Sequence, residues 1–157
     1  MIITIERSQS FTPTFLGNDW VVEWQDERSL ALSEIDLSRV CLEAHVMPGE
    51  EEADYKQLLN NKISLDAQAL QAIWERIRGK RYSNCLPASW SERTTDGYTK
   101  FIGFYGTILR HLYNNRLAVL TLHWNSNMYN DLWGGPKFKR EFCYLRPGCQ
   151  QIVPVIK

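Results

Sequence analysis

The stretch of sequence that decides the fold is Leu117-Ala118-Val119-Leu120-Thr121-Leu122-His123-Trp124. An apolar run of this length beside turn residues is typical of a buried strand. Asn114-Asn115, separated from this run by Arg116 alone, can supply the positive φ angles of a primed hairpin turn. The pattern therefore predicts a hairpin that sets Leu109 opposite Leu120 and His111 opposite Ala118, with Tyr105 opposite Trp124.

A short helix is the alternative for the first arm of this hairpin. Ile108, Leu109, Leu112 and Tyr113 recur at a spacing that also fits 3.6 residues per turn, which would make Thr107–Tyr113 helical. Of the two, we favour the hairpin.

Working outward, alternating apolar residues predict further strands. In the second of these, Trp20, Val22 and Trp24 share one face, and Pro154 is expected to mark the last as an edge strand. Tyr98–Tyr105 is also strand-like, being rich in aromatic and β-branched residues. The other predicted strands are Ile2–Glu6, Trp20–Trp24, Val40–Val46, Lys137–Leu145 and Ile152–Ile156.

Two helices are predicted between the early and the late strands. Glu50–Asn60 has an i,i+4 pair of opposite charge, and Ser64–Gly79 has an apolar stripe that includes Trp74 and Ile77. Ser64 is the expected N-cap of the second helix. The predicted fold is therefore α+β, an antiparallel sheet with an inserted pair of helices packed on one face, in a single domain over residues 1–157.

Composition narrows the classes of protein to which the chain can belong. With 44% hydrophobic and 23% charged residues, the chain is typical of a globular protein and unlike a disordered one. The start lacks the basic and apolar regions of a signal peptide, and the four cysteines have no C-x-x-C spacing. These features predict a cytoplasmic protein with reduced thiols, no membrane association and no cofactor.

Charge is sorted along the chain. Residues 1–60 carry twelve acids and four bases, a net −8, whereas residues 61–157 carry six acids and fourteen bases, a net +8. Such separated charge steers encounters with charged partners. It predicts an interaction protein, with one half or the other as its working face.

The acidic half gives the first functional hypothesis, a non-enzymatic inhibitor or immunity-type protein that binds a basic protein partner. Acids beyond those needed to stabilise a helix N-terminus open the first predicted helix. Exposed aromatics in a polar loop are the expected hot spots beside them. The candidate partner-binding residues are Glu50, Glu51, Glu52, Asp54, Tyr129 and Trp133.

The basic half gives the second hypothesis, a nucleic-acid-binding module. One cluster of bases runs off the end of the second predicted helix, and another flanks aromatic residues on a late strand, as in a surface that stacks single strands. The candidate residues are Arg78, Lys80, Arg81, Lys137, Lys139 and Arg140. The oligomeric state is left open.

A small cysteine/histidine hydrolase is the weakest hypothesis. Cys85 could pair with His111 or His123, but Pro87 after Cys85 favours a loop, and the two histidines fall on opposite faces of the predicted hairpin. Cys41, Glu43 and His45 share one strand face, without a second ligand motif. We therefore assign no catalytic and no metal-binding residue from the sequence.

Overall fold

The computed structural model describes residues 1–47, 56–57, 59–78, 80, 85–125 and 137–156. Its strands are β1 Ile2–Thr4, β2 Trp20–Gln25, β3 Glu34–Asp36, β4 Val40–Val46, β5 Ile63–Ser64, β6 Ile102–Gly103, β7 Thr107–His111, β8 Leu117–Asn125, β9 Lys137–Tyr144 and β10 Gln150–Ile156. Its helices are α1 Glu27–Leu30 and α2 Ala67–Ile77. The described chain is therefore mostly β.

Eight strands form one curled, mixed sheet that resembles half of a barrel. The strand order is β2-β7-β8-β6-β10-β4, while β9 pairs with β8 and β5 pairs with β10. β9 pairs with β8 from Ala118 to Asn125. Residues of β8 within this range also pair with β6 and β7, so β9 lies along the opposite edge of β8 from those two strands. β1 and β3 form a separate two-stranded ribbon.

The predicted α+β fold, an antiparallel sheet with an inserted helix pair, is wrong. The pairing of β6 with β10 is parallel, through Ile102 and Ile152, so the sheet is mixed. Within the described ranges one helix, α2, is longer than a single turn. The first helix of the predicted pair, at 50–60, falls largely outside the described residues.

The run from Leu117 is the central strand, as its apolar sequence predicts. Ala118 to His123 are all buried, because both faces of β8 pack against apolar layers. On one face, Leu120 joins a first core with α2 and the β1–β3 ribbon. On the other face, Val119 joins a second core with Tyr105, Val153 and their neighbours.

The predicted hairpin between β7 and β8 is confirmed, with a different register. Leu109 lies opposite Ala118 rather than Leu120, so the register differs by two residues. The turn is longer than a two-residue primed turn: the His111 N–H donates to the Arg116 carbonyl at 2.9 Å, and of the two asparagines only Asn115 has a positive φ, of 60°. A shift of two keeps each side chain on its predicted face.

The predicted helix at 64–79 is confirmed as α2, with a later start. Asp66 is the N-cap, because its carboxylate accepts the Ala69 N–H at 2.8 Å, whereas Ser64 lies in β5. Ile77 is buried on the apolar stripe, and Trp74 packs against the first core while remaining half-buried.

Two further details of the strands differ from the prediction. The pairing of β2 with β7 shifts between Val22 and Trp24, and this bulge places Val22 against the first core and Trp24 against the second. Pro154 lies inside the sheet, with β4 on one side and β5 on the other. Its carbonyl accepts the Leu65 N–H at 3.1 Å, so its missing N–H falls on the side of the short strand β5.

Candidate functional site

The predicted partner-binding residues of the acidic half cannot be placed. Glu50, Glu51, Glu52 and Asp54 lie outside the described residues, and so do Tyr129 and Trp133. Arg81 of the basic set also lies outside the described residues. The described acids of this half lie on β2, β3, β4 and the segments beside them, and they are Glu6, Asp19, Glu23, Asp26, Glu27, Glu34, Asp36 and Glu43.

The two basic clusters, which are about 60 residues apart in sequence, meet in the fold. Arg78 caps the end of α2 and Lys80 follows it, while Lys137, Lys139 and Arg140 lie on β9. Arg140 joins them: its guanidinium lies over the Phe15 ring at 3.9 Å and over the Trp74 ring at 5.0 Å. The end of α2 is thereby placed beside the middle of β9.

Electrostatics agree with this convergence. Burial between the two rings lowers the pKa of Arg140, Arg78 lowers it further, and Glu75 opposes both effects. Arg78 is 3.2 Å from Glu75, through Nε and Oε2, on an exposed surface. The neighbourhood of Arg140 therefore contains more cations than anions, because Glu75 is shared between two arginines.

Aromatic side chains continue along the same face of β9. Phe138, Arg140, Phe142 and Tyr144 share one face of β9, and each has an aromatic or cationic neighbour. We call this surface the β9 strip. It is made of Phe15, Trp20, Trp74, Arg116, Trp124, Phe138, Arg140, Phe142 and Tyr144.

The contacts within the strip are close and varied in angle. Phe142 lies 4.6 Å from Trp20 and 5.3 Å from Tyr144, measured between ring centroids. The Arg116 guanidinium lies 3.9 Å over the Tyr144 ring. Trp20 belongs to β2, so the curl of the sheet brings β2 within reach of β9 across β7 and β8. The strip is a product of that curvature.

Parts of the strip are open to solvent. Phe142 is 38% exposed and Phe15 is 36% exposed. A cleft of about 340 Å³ lies beside Phe15, Trp74 and residues 137–141. Lys139 lines this cleft from the other face of β9, and neither it nor Lys80 forms an ion pair with a described residue. Aromatic rings and cationic side chains therefore line the same cleft.

Charge sorting along the sequence is partly cancelled in the fold. Glu23 of the acidic half binds Arg110 of the basic half through two hydrogen bonds of 2.7 and 3.0 Å. Glu43 likewise pairs with Lys62. Near Arg140, Arg78 is likewise paired with Glu75, whereas Lys139 forms no ion pair with a described residue.

The hydrolase hypothesis gains no support from the geometry. Burial raises the pKa of the Cys85 thiol, whereas a nucleophilic cysteine needs a lowered pKa. His111 packs against Trp20 and His123 against Phe101, on opposite faces of the sheet, as the sequence predicts.

Cys41, Glu43 and His45 do share one face of β4, where Glu43 lies 3.2 Å from His45 and pairs with Lys62. Among the described residues, no group of three or more histidine, cysteine, aspartate or glutamate side chains could hold a metal ion. In the same residues no helix is long and apolar enough to cross a membrane.

Sequence reasoning missed five members of the strip, of which Trp124 lies on β8 and packs against Phe138. The other four, Phe15, Trp20, Trp74 and Arg116, come from separate elements, and only the curled sheet brings them to β9. The alternation along 137–144 was the one available signal, because it places aromatics and Arg140 on a single strand face.

Comparison with protein family models, with curated protein sequences and with solved structures gave no significant match.

Proposed function

We propose that this protein binds single-stranded nucleic acid along the β9 strip. The observation that carries the proposal is the convergence of the two basic clusters on a row of partly exposed aromatic rings. Proteins that bind single strands combine a positive groove for the phosphates with rings on which bases stack. Both elements are present at β9, and Arg140 links them.

The dimensions suit a short strand of nucleic acid. β9 has eight residues and so extends roughly 26 Å. Phe142 and Phe15 offer exposed ring surface for stacking, and Lys80 and Lys139 offer ammonium groups that no described carboxylate binds. The zero formal charge of the whole chain does not oppose binding, since fields between exposed charges are screened beyond about 8 Å at physiological salt.

A second candidate function is binding of a basic protein partner through the acidic half, as an inhibitor or immunity-type protein would. It is supported by the net −8 of residues 1–60 and by Glu34, which is exposed on β3. The neutralisation of Glu23 and Glu43 inside the fold makes it the weaker of the two. Under this candidate, the protein binds no oligonucleotide.

Removing one stacking ring should weaken binding of a single-stranded probe. For Phe142→Ala we expect a loss of about 1–3 kcal/mol in binding free energy, the usual contribution of one base–aromatic stack. Fluorescence anisotropy with labelled 12-nucleotide DNA and RNA of mixed sequence measures it. The control is Phe101→Ala, which removes a ring of similar exposure, 41%, that stacks on His123 on the other face of the sheet.

Equal losses in these two variants would contradict the proposal. A wild-type protein that binds neither probe at 50 mM salt would contradict it outright. Comparing DNA with RNA shows whether the site distinguishes the two sugars.

A further inference from the structure

A groove of about 670 Å³ lies between β1 and α2, on a different side of the helix from the β9 strip. One wall contains Ile2 and Thr4, and the other contains Gln71, Ala72 and Glu75. Phe11 lies in the lining as well. Its volume is within the range of roughly 300–1,000 Å³ that is common for ligand clefts.

The wall formed by β1 is an open strand edge. The odd-numbered residues in and next to β1 use their backbone groups toward β3 and the residues beside it: the Ile5 N–H donates to the Ser33 carbonyl at 2.8 Å, and the Met1 carbonyl accepts the Leu37 N–H at 2.9 Å. Backbone groups alternate in direction along a strand, so those of Ile2 and Thr4 point away from β3. Neither residue has a backbone hydrogen bond to another described residue on that side.

The open edge faces α2. The Glu6 carbonyl points the same way as those of Ile2 and Thr4, and it accepts a hydrogen bond of 3.4 Å from Nε2 of Gln68, on α2. The same nitrogen donates to the Gln9 carbonyl at 2.7 Å, which closes that end. The groove therefore runs between a line of unused backbone donors and acceptors and the exposed side of a helix.

We propose that this groove binds an extended peptide segment of a partner protein, which adds to β1 as a third strand and carries basic side chains on its outer face. An extended backbone is the ligand that offers acceptors and donors at the spacing of Ile2 and Thr4. Unpaired edges are the surfaces on which such addition occurs.

The charges around the groove select the side chains of the segment. Thr4 lies opposite Glu34 on the outer face of the ribbon, and Glu6 shares the face of Thr4. The Ser8 N–H donates to Glu6 at 2.7 Å and lowers the pKa of that carboxyl, so it is ionised at neutral pH. The lining itself contains Glu6, Glu75, which is paired with Arg78, and one cation, Arg76. The inner face of the segment meets Phe11 and Ala72, which favour apolar residues.

The test is selection of random eight-residue peptides on the whole protein, followed by affinity measurements on variants. Thr4→Pro removes the N–H that faces the groove and leaves the β1–β3 hydrogen bonds in place, while Thr4→Val retains that N–H. Selected peptides should alternate apolar and basic residues. They should lose at least about tenfold in affinity for Thr4→Pro and bind Thr4→Val like the wild type.

N-methylated peptides provide a readout that does not depend on folding of a variant. Methylation of every second peptide nitrogen should abolish binding when those N–H groups face β1. Methylation of the other set should leave binding unchanged, since only one edge of the added strand is bonded. The double variant Glu6→Lys with Glu34→Lys should lose the preference for basic peptides. Three results would overturn the proposal: a selection without enrichment, equal effects of the two sets of methylated nitrogens, or equal binding to Thr4→Pro and Thr4→Val.

Discussion

Asp66→Ala should cost about 3–5 kcal/mol in the free energy of unfolding, the usual range when one partner of a buried ion pair is removed. The Asp66 side chain is fully buried, with Oδ2 2.8 Å from Nη1 of Arg7. Its other oxygen accepts the Ala69 N–H at the start of α2. The substitution therefore leaves a charge without its partner and removes the N-cap of α2.

The expected loss of stability is large because of the contacts that Arg7 makes. Besides Asp66, its guanidinium donates to the Ser29 and Leu32 carbonyls and to the Gln68 side chain, which ties the N-terminal segment to α2. Urea unfolding of the single variants and of Arg7→Met with Asp66→Ala measures the coupling. The double variant should be less destabilised than the sum of the single ones, because no buried charge is then left unpaired. A loss below about 1 kcal/mol for Asp66→Ala would show that the pair does not hold α2 in place.

Lys80→Gln with Lys139→Gln should weaken oligonucleotide binding by about 60-fold at 50 mM salt. Each phosphate contact on a single strand contributes a slope of about 0.7 to log affinity against log salt concentration. Relative to 1 M salt, one contact therefore raises the affinity at 50 mM by about 0.9 log unit, and two contacts raise it by about 1.8. Two lost contacts should lower the slope by about 1.4. Anisotropy titrations between 50 and 300 mM salt give both quantities from one set of data.

The matched control changes the same net charge elsewhere. Arg39 is exposed directly before β4, and Lys56 lies over Trp24, 5.3 Å from the centre of its ring, beside the second core. Arg39→Gln with Lys56→Gln should leave the salt slope within about 0.3 of the wild-type value, as neither residue lies near β9. An equal reduction in both double variants would mean that net charge, not the strip, controls binding.

Elements with strong local patterns were predicted well. The β8 run and the α2 stripe each contain enough apolar residues in one period to show their structure without knowledge of the rest of the chain. The N-cap was displaced by two residues because Ser64 and Asp66 are both good caps, and the choice depends on Arg7, which is 59 residues away from Asp66.

The fold class was predicted wrongly because the deciding strands are short and their pairing partners are distant in sequence. β5 has two residues, too few to show any periodicity, and the predicted strand Tyr98–Tyr105 forms only the two-residue β6, whose parallel pairing with β10 makes the sheet mixed. The bulge in β2 that sends Trp24 to the second core has no signal in an alternating sequence. Neither feature follows from local propensity.

The candidate site shows the same limit. The alternation of Phe138, Arg140 and Phe142 is visible in the sequence, but the closeness of Arg78 to Arg140 depends on how α2 packs against the sheet. Sheet curvature likewise decides that Trp20 reaches Phe142. Long-range packing of this kind cannot be derived from composition or spacing.

The most direct test of binding along the β9 strip is to follow the tryptophan indole N–H resonances by NMR during titration with a 12-nucleotide single strand. Trp20, Trp74 and Trp124 belong to the strip, whereas Trp90 is buried in the first core and Trp24 packs against the second. We expect the three strip resonances to shift together with the amides of β9, while those of Trp24 and Trp90 stay in place. Unchanged strip resonances, or shifts confined to Trp24 and Trp90, would contradict the account.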